Sequence, residues 1–184
     1  MRKIVLIVCA LFLAQSLHAE NLIQNGNFEK DNQEGWETGK RLVTGNVMID
    51  RKEKAEGKNS LCIFVTGKNT KKDSRQNLSV VSNKINVVPG MELIFSVMLK
   101  AEDILPGNYS WAKGRFTVNY CDAQGKRIAW SDPVLLSGTS EWKKYSGTLT
   151  VPQGAVSASF RFGLTDSTGK LWIDDFSVRL QSGP

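Results

Sequence analysis

Between residues 20 and 184, no dozen consecutive residues keep apolar side chains at helical spacing before a Gly, Asn, Pro or β-branched residue interrupts them. What recurs is two-residue alternation in short runs. Strands are predicted over Arg41–Asp50, Leu61–Thr66, Leu78–Val88, Met91–Lys100, Lys113–Asp122, Arg127–Leu136, Lys143–Val151, Ala155–Leu164 and Lys170–Leu180. The breaks read PG, AQGK, SGTS, PQGA and DSTGK, turn chemistries that place Gly where positive φ is cheap. Many short, evenly spaced strands without helices imply an all-β antiparallel sandwich or jelly roll. No internal repeat or low-complexity linker divides the chain. The run GKNTKKDSRQN, Gly67–Asn77, reads as a solvated basic loop.

Alternation also sorts the faces. Phe116, Val118 and Tyr120 oppose Arg115, Thr117, Asn119 and Cys121, while Ala158, Phe160, Phe162 and Leu164 oppose Ser157, Ser159 and Arg161. Leu93, Phe95, Val97 and Leu99 likewise oppose Ser96 and Lys100. The polar sides are either the wet outside of an ordinary sheet or a ligand-binding face; the pattern is the same for both.

The first residues do not belong to this pattern. Met1-Arg2-Lys3, the apolar run Ile4–Ala14 and the small residue Ala19 form the n-region, h-region and cut site of a secretory signal peptide, residues 1–19. The expected product is one domain over 20–184, secreted or periplasmic, with cleavage after Ala19. The apolar run is shorter than the roughly 20 residues that span a bilayer, so no membrane insertion is expected. Without Arg2 and Lys3 the chain carries 22 basic and 18 acidic residues, net +4, which favours solubility and indicates no nucleic-acid partner. The one histidine, His18, leaves with the leader, which removes Ser-His-Asp and Cys-His nucleophiles and His-ligated zinc. Cys9 leaves too; Cys62 and Cys121 either pair in an oxidising compartment or stand as separate buried thiols.

Six segments, in order, carry a resemblance: NLIQNGNFE with Gly35-Trp36, EGKNSLCIFV (56–65), VVPGMELIFSVMLKA (87–101), YCDAQGK (120–126), SEWKKYSGTLTVPQGA (140–155) and GKLWIDDFSV (169–178). Together they resemble carbohydrate-binding modules of the family four and nine group, galactose-binding-like jelly rolls found beside xylanases and glucanases. The resemblance implies scaffold roles for Trp36, Trp142 and Trp172. It also implies a structural Ca²⁺ on Glu29, Glu56 and Asp174, with backbone carbonyls from the Gly/Asn-rich turn at 25–27 or from 58–59; otherwise these acids are exposed strand ends.

Tyr109, Trp111 and Trp130 have no scaffold counterpart. The loop PGNYSWAKG, Pro106–Gly114, could present the first two as flat platforms for sugar rings, with Arg115, Asn119 and Arg161 donating hydrogen bonds beside them. Trp130 is expected as a third stacking platform, with core as its alternative because it shares a side with Ile128. Arg115, Arg161 and Lys100 tilt the expectation toward an acidic or mixed glycan. The implied function is a secreted, non-catalytic binder of a polysaccharide or glycan, working alone or with a separate glycan-degrading enzyme. Two other classes stand against it: a structural or adhesive jelly roll, and an enzyme using carboxylates such as Asp122 and Asp132 across a hairpin.

Overall fold

The computed structural model describes residues 20–30, 33–41, 43–68 and 76–181. The predicted leader, 1–19, and most of the basic loop lie outside them. Eleven strands form among the described residues: β1 Trp36–Arg41, β2 Val43–Asp50, β3 Ser60–Lys68, β4 Asn77–Ser82, β5 Ile85–Asn86, β6 Glu92–Leu105, β7 Gly114–Cys121, β8 Arg127–Leu136, β9 Gly138–Thr150, β10 Ser157–Thr165 and β11 Thr168–Leu180. They make two antiparallel sheets, ordered β1-β4-β10-β7-β8, with β5 also pairing β10, and β2-β3-β11-β6-β9. The architecture is an antiparallel β-sandwich of the jelly-roll kind.

Phe116 on β7, Phe160 and Phe162 on β10 and Phe176 on β11 close the space between the sheets, all at most 1% exposed. Phe116 stacks on Phe162 at 4.7 Å and Phe176 meets Phe162 edge-on at 5.0 Å. Each such ring, fully buried, contributes about 1.5–3 kcal/mol. Because these rings take every second position, Arg115, Thr117 and Asn119 on β7 and Ser159 and Arg161 on β10 face outward together.

Three strand expectations change. β1 was not anticipated: WETGKR is charged and holds Gly39, which suits a solvated edge strand paired on one side only, to β4. The stretch predicted as one strand, Leu78–Val88, divides into β4 and β5. At the break the Ser82 hydroxyl accepts from Phe160 N at 3.0 Å, and Asn83 N donates to Gly35 O at 2.8 Å. β6 runs past Lys100 to Leu105, and β9 begins at Gly138 rather than Lys143, because bulges around Ala101 let the two strands stay paired through GTSEW.

Cys62 and Cys121 do not pair. Cys62 lies on β3 opposite Trp172, on the outside of one sheet, and Cys121 lies on β7 opposite Ser157, on the outside of the other. The whole sandwich separates the two thiols.

Candidate functional site

The outer face of the six-stranded sheet has a floor of small residues between its longer side chains. Gly39, Ser79, Gly163 and Arg115 form one cross-strand row over β1, β4, β10 and β7. A Cβ at Gly163 would stand 2.6 Å from Ser79 Cβ and 2.7 Å from Leu78 O, so the close approach of β10 and β4 requires glycine there.

Six residues expected to bind sugar come to this face and its rim. Tyr109 and Trp111, in the loop between β6 and β7, stack in parallel with centroids 5.0 Å apart and 3° between planes. The Arg115 guanidinium lies 5.8 Å from the Trp111 ring centroid. Trp111 is therefore the inner ring of a Tyr109–Trp111–Arg115 assembly, and Tyr109, 60% exposed, is the ring that presents a free face. At the other end of β7, Asn119 pairs with Trp130 on β8. Trp130 is 61% exposed, so the core reading of it fails; its side is set by its pairing with outward Asn119. Four residues separate Arg115 from Asn119, so the two aromatic stations stand roughly 14 Å apart at ~3.4 Å per residue.

Arg161 occupies the middle, directly across from Thr117, and its guanidinium donates to Asn77 Oδ1. Burial, together with the nearby Arg115 and Arg127 charges, holds its pKa below the ordinary arginine value, with Asp132 acting the other way. Asp132 is engaged through both oxygens: Oδ2 accepts from Arg115 at 2.5 Å and Oδ1 from the Thr117 hydroxyl at 2.6 Å. Arg127 donates to Asn119 Oδ1 at 3.4 Å and lies 5.2 Å from the Trp130 centroid. An open groove of about 490 Å³ adjoins this end, along the seam between edge strands β8 and β9, with Tyr120, Trp130, Asp132 and Leu149 in its lining.

The carboxylate pair considered for catalysis does not assemble. Asp122 closes its own turn, its Oδ1 accepting from Gln124 N at 3.0 Å and Lys126 N at 2.9 Å. Asp132 is held level with Thr117, five residues back along β7, roughly 17 Å away. A glycosidase pair stands about 5–10 Å apart.

The sequence pattern of the carbohydrate binding domain family CBM_4_9 matches residues 20–168. This chain belongs to that family. No curated protein matches it. Among solved structures, similar folds include the CBM22-1 xylan-binding domain from Paenibacillus barcinonensis Xyn10C, 20% identical with a TM-score of 0.54, over 86% of this chain and 93% of that one. TmCBM61 in complex with β-1,4-galactotriose is 13% identical with a TM-score of 0.55, over 89% and 100%. Bacteriophage CBA120 tailspike protein 4 is 17% identical with a TM-score of 0.65 over 88% of this chain, which spans only 21% of that one.

In this carbohydrate binding domain the three acids expected to share a calcium ion meet only in part. Glu29 Oε1 accepts from Lys58 N at 2.8 Å and Asn59 N at 3.1 Å. Buried Asp174 reaches the same turn, its Oδ2 accepting from Ala55 N at 2.9 Å and Glu56 N at 3.0 Å. Burial raises the pKa of Asp174 against these backbone donors. Glu56 contributes its N–H, while its exposed side chain points no carboxylate at a shared centre with the others: among the described residues, no three Asp, Glu, His or Cys side chains form a metal-holding group. Glu29 and Asp174 thus both hold the turn at 55–59 through its backbone N–H groups, and the third acid does not join them.

Lys100 does not belong to the arginine face. It sits on β6 in the other sheet, paired with Glu53 at 2.8 Å and Glu141 at 3.4 Å, its ammonium 5.8 Å from the Trp172 centroid. Sequence reasoning passed over Asn77, Thr117, Arg127 and Asp132 as residues of the arginine face. Thr117 had the signal, by alternation with Arg115 and Asn119. Arg127 and Asp132 had none, because register shifts between β7 and β8 break alternation on β8.

Proposed function

We propose that this protein is a secreted, non-catalytic carbohydrate-binding module that lays an extended polysaccharide across the outer face of its six-stranded sheet. The observation that carries the reading is the convergence of Tyr109 with Trp111, Arg115, Asn119, Arg161 and Trp130 on one face, from three separate segments of chain. Sugars offer apolar ring faces and hydroxyl rims, so two aromatic stations with amide and guanidinium donors between them suit several successive units. The xylan and galactotriose of the similar structures make extended backbones the first probes. Absence of catalysis is supported by the separation of Asp122 from Asp132. Export rests on the leader at 1–19, and a separate glycan-degrading enzyme is the partner such a module would serve.

A polysaccharide panel read by affinity electrophoresis tests this. At least one extended glycan should retard the protein, and Tyr109→Ala should weaken that binding by roughly tenfold, about 1.4 kcal/mol, with Tm unchanged because the ring is exposed. Retardation by none, or wild-type binding by both Tyr109→Ala and Asn119→Ala, would refute the site. Release of reducing ends would refute the non-catalytic reading.

A structural calcium on Glu29 and Asp174 is part of the same proposal, supported by their approach to one turn from two ends of the chain. Calcium would supply a positive centre for both carboxylates. A chelator should then lower Tm of the wild type but not of Glu29→Gln; an unchanged wild-type Tm rejects the ion.

A further inference from the structure

The arginine face carries more positive charge than its own acids neutralise. Arg115, Arg127 and Arg161 share this face with one nearby carboxylate among the described residues, Asp132, whose oxygens accept from Arg115 and Thr117. Arg161 has only a neutral amide oxygen, that of Asn77, and no carboxylate among the described residues. Arg127 likewise has an amide oxygen and a ring rather than an acid. Glu37 shares the face but sits on β1, with Val81 of β4 between it and Arg161 in the ladder. Two strand spacings, roughly 9.5 Å, separate their backbones, and Arg161 instead donates to Asn77. Arg115 adds a buried Nε with no hydrogen-bond partner in the protein.

Half-buried like charges on diagonal cross-strand neighbours repel, and partial burial removes the water that would screen them. A guanidinium fork also matches a planar or tetrahedral oxyanion better than a hydroxyl. Arg161 lies between the aromatic stations, so an acid group there would belong to a sugar in the middle of a chain held at both sides.

We infer that this face takes an anionic polysaccharide, the carboxylate of a uronic acid or a sulfate ester of one unit seating on Arg161 between Arg115 and Arg127. This rests on the glycan-binding reading above and adds the charge class of the ligand.

Calorimetric titration with four oligosaccharides of equal length tests it: an oligogalacturonate, its carboxyl-reduced product, a sulfated oligogalactan and a neutral xylo-oligosaccharide. At least one acidic oligomer should bind roughly tenfold or more tightly than the neutral pair, and the gap should shrink as salt rises from about 50 to 500 mM. Which acidic oligomer wins identifies carboxylate or sulfate. Arg161→Gln should cut that binding by roughly tenfold and weaken neutral binding less, so that the preference for the acidic oligomer narrows. Arg127→Gln, on an exposed residue, should act in the same direction even if Arg161→Gln disturbs the fold. Lys144→Gln, exposed on β9 of the opposite sheet, should change nothing.

Neutral oligomers binding as tightly as acidic ones, or arginine variants weakening both classes equally, would overturn the inference and leave the glycan reading standing. Equal loss with Lys144→Gln would reduce the effect to non-specific attraction and overturn it too. Failure of all four to bind would overturn both.

Discussion

Asp50 shows how one side chain sets a pH dependence. Burial pushes its pKa up, but hydrogen bonds from Trp172 Nε1 at 2.9 Å, Lys52 N at 2.8 Å and Glu53 N at 3.2 Å outweigh that and hold it below the ordinary value. A carboxyl with a lowered folded pKa adds stability that is complete above its unfolded value, about 3.9, and is lost as pH falls through the folded value. Asp174 has the opposite sign: burial raises its pKa, so its contribution falls as pH rises from the unfolded value through the folded one. Asp50→Asn should therefore flatten the acid limb of a Tm-against-pH curve while leaving the rest of its shape alone. An acid limb as steep as the wild type's would assign that limb to other groups. Cys62, beneath Trp172 on the same face, has no such polar support, and burial pushes its thiol up to about 12.

At the scale of elements, legibility followed regularity. β8 occupies the stretch its sequence announces, Arg127–Leu136, because AQGK before it and SG after it supply turns. Alternation was equally good on β7 and β10, which is why Arg115, Asn119 and Arg161 were found from sequence. Bulges destroyed the same logic on β8 and at the β6–β9 ladder, since one inserted residue exchanges the two faces beyond it. That exchange hid Arg127 and Asp132 and left Trp130 with core as an alternative. Ring-on-ring cover is another relation that strings of residues do not carry, so Trp111 could not be told from Tyr109 as the free platform. Gly163 was silent too, yet it sets how closely β10 approaches β4. Gly163→Ala should cost about 1–3 kcal/mol in urea denaturation, because the new methyl meets Ser79 Cβ and Leu78 O inside contact distance. A loss below about 0.5 kcal/mol would mean that the floor of this face yields, and that small residues there are not needed for its shape.

For the molecule as a whole, the decisive contacts join the beginning of the described chain to its end. The segment before β1 is not a strand, yet Leu22 N donates to Val178 O at 2.8 Å, Phe176 N donates to Gly26 O at 2.9 Å and Val178 N donates to Asn21 Oδ1 at 3.0 Å. Between these bonds Phe28, fully buried, inserts against Trp36 at a centroid distance of 5.3 Å, and Trp36 in turn lies 6.0 Å from both Phe162 and Phe176. The crowded turn formers of LIQNGNFE thus deliver one aromatic plug to the seam of the sandwich and one carboxylate to the turn at 55–59. Gly57 shows how tight that delivery is, because a Cβ there would stand 2.3 Å from Glu29 Oε1. A plug shared by both sheets should behave as part of one cooperative unit, not as a flap. Phe28→Ala is therefore expected to lower unfolding free energy by about 3–5 kcal/mol, with the urea m-value and a single transition retained. Were the segment merely draped on the surface, the loss would stay under about 1 kcal/mol; were it an independent flap, fluorescence of Trp36 would change at lower urea than the circular dichroism of the sheets.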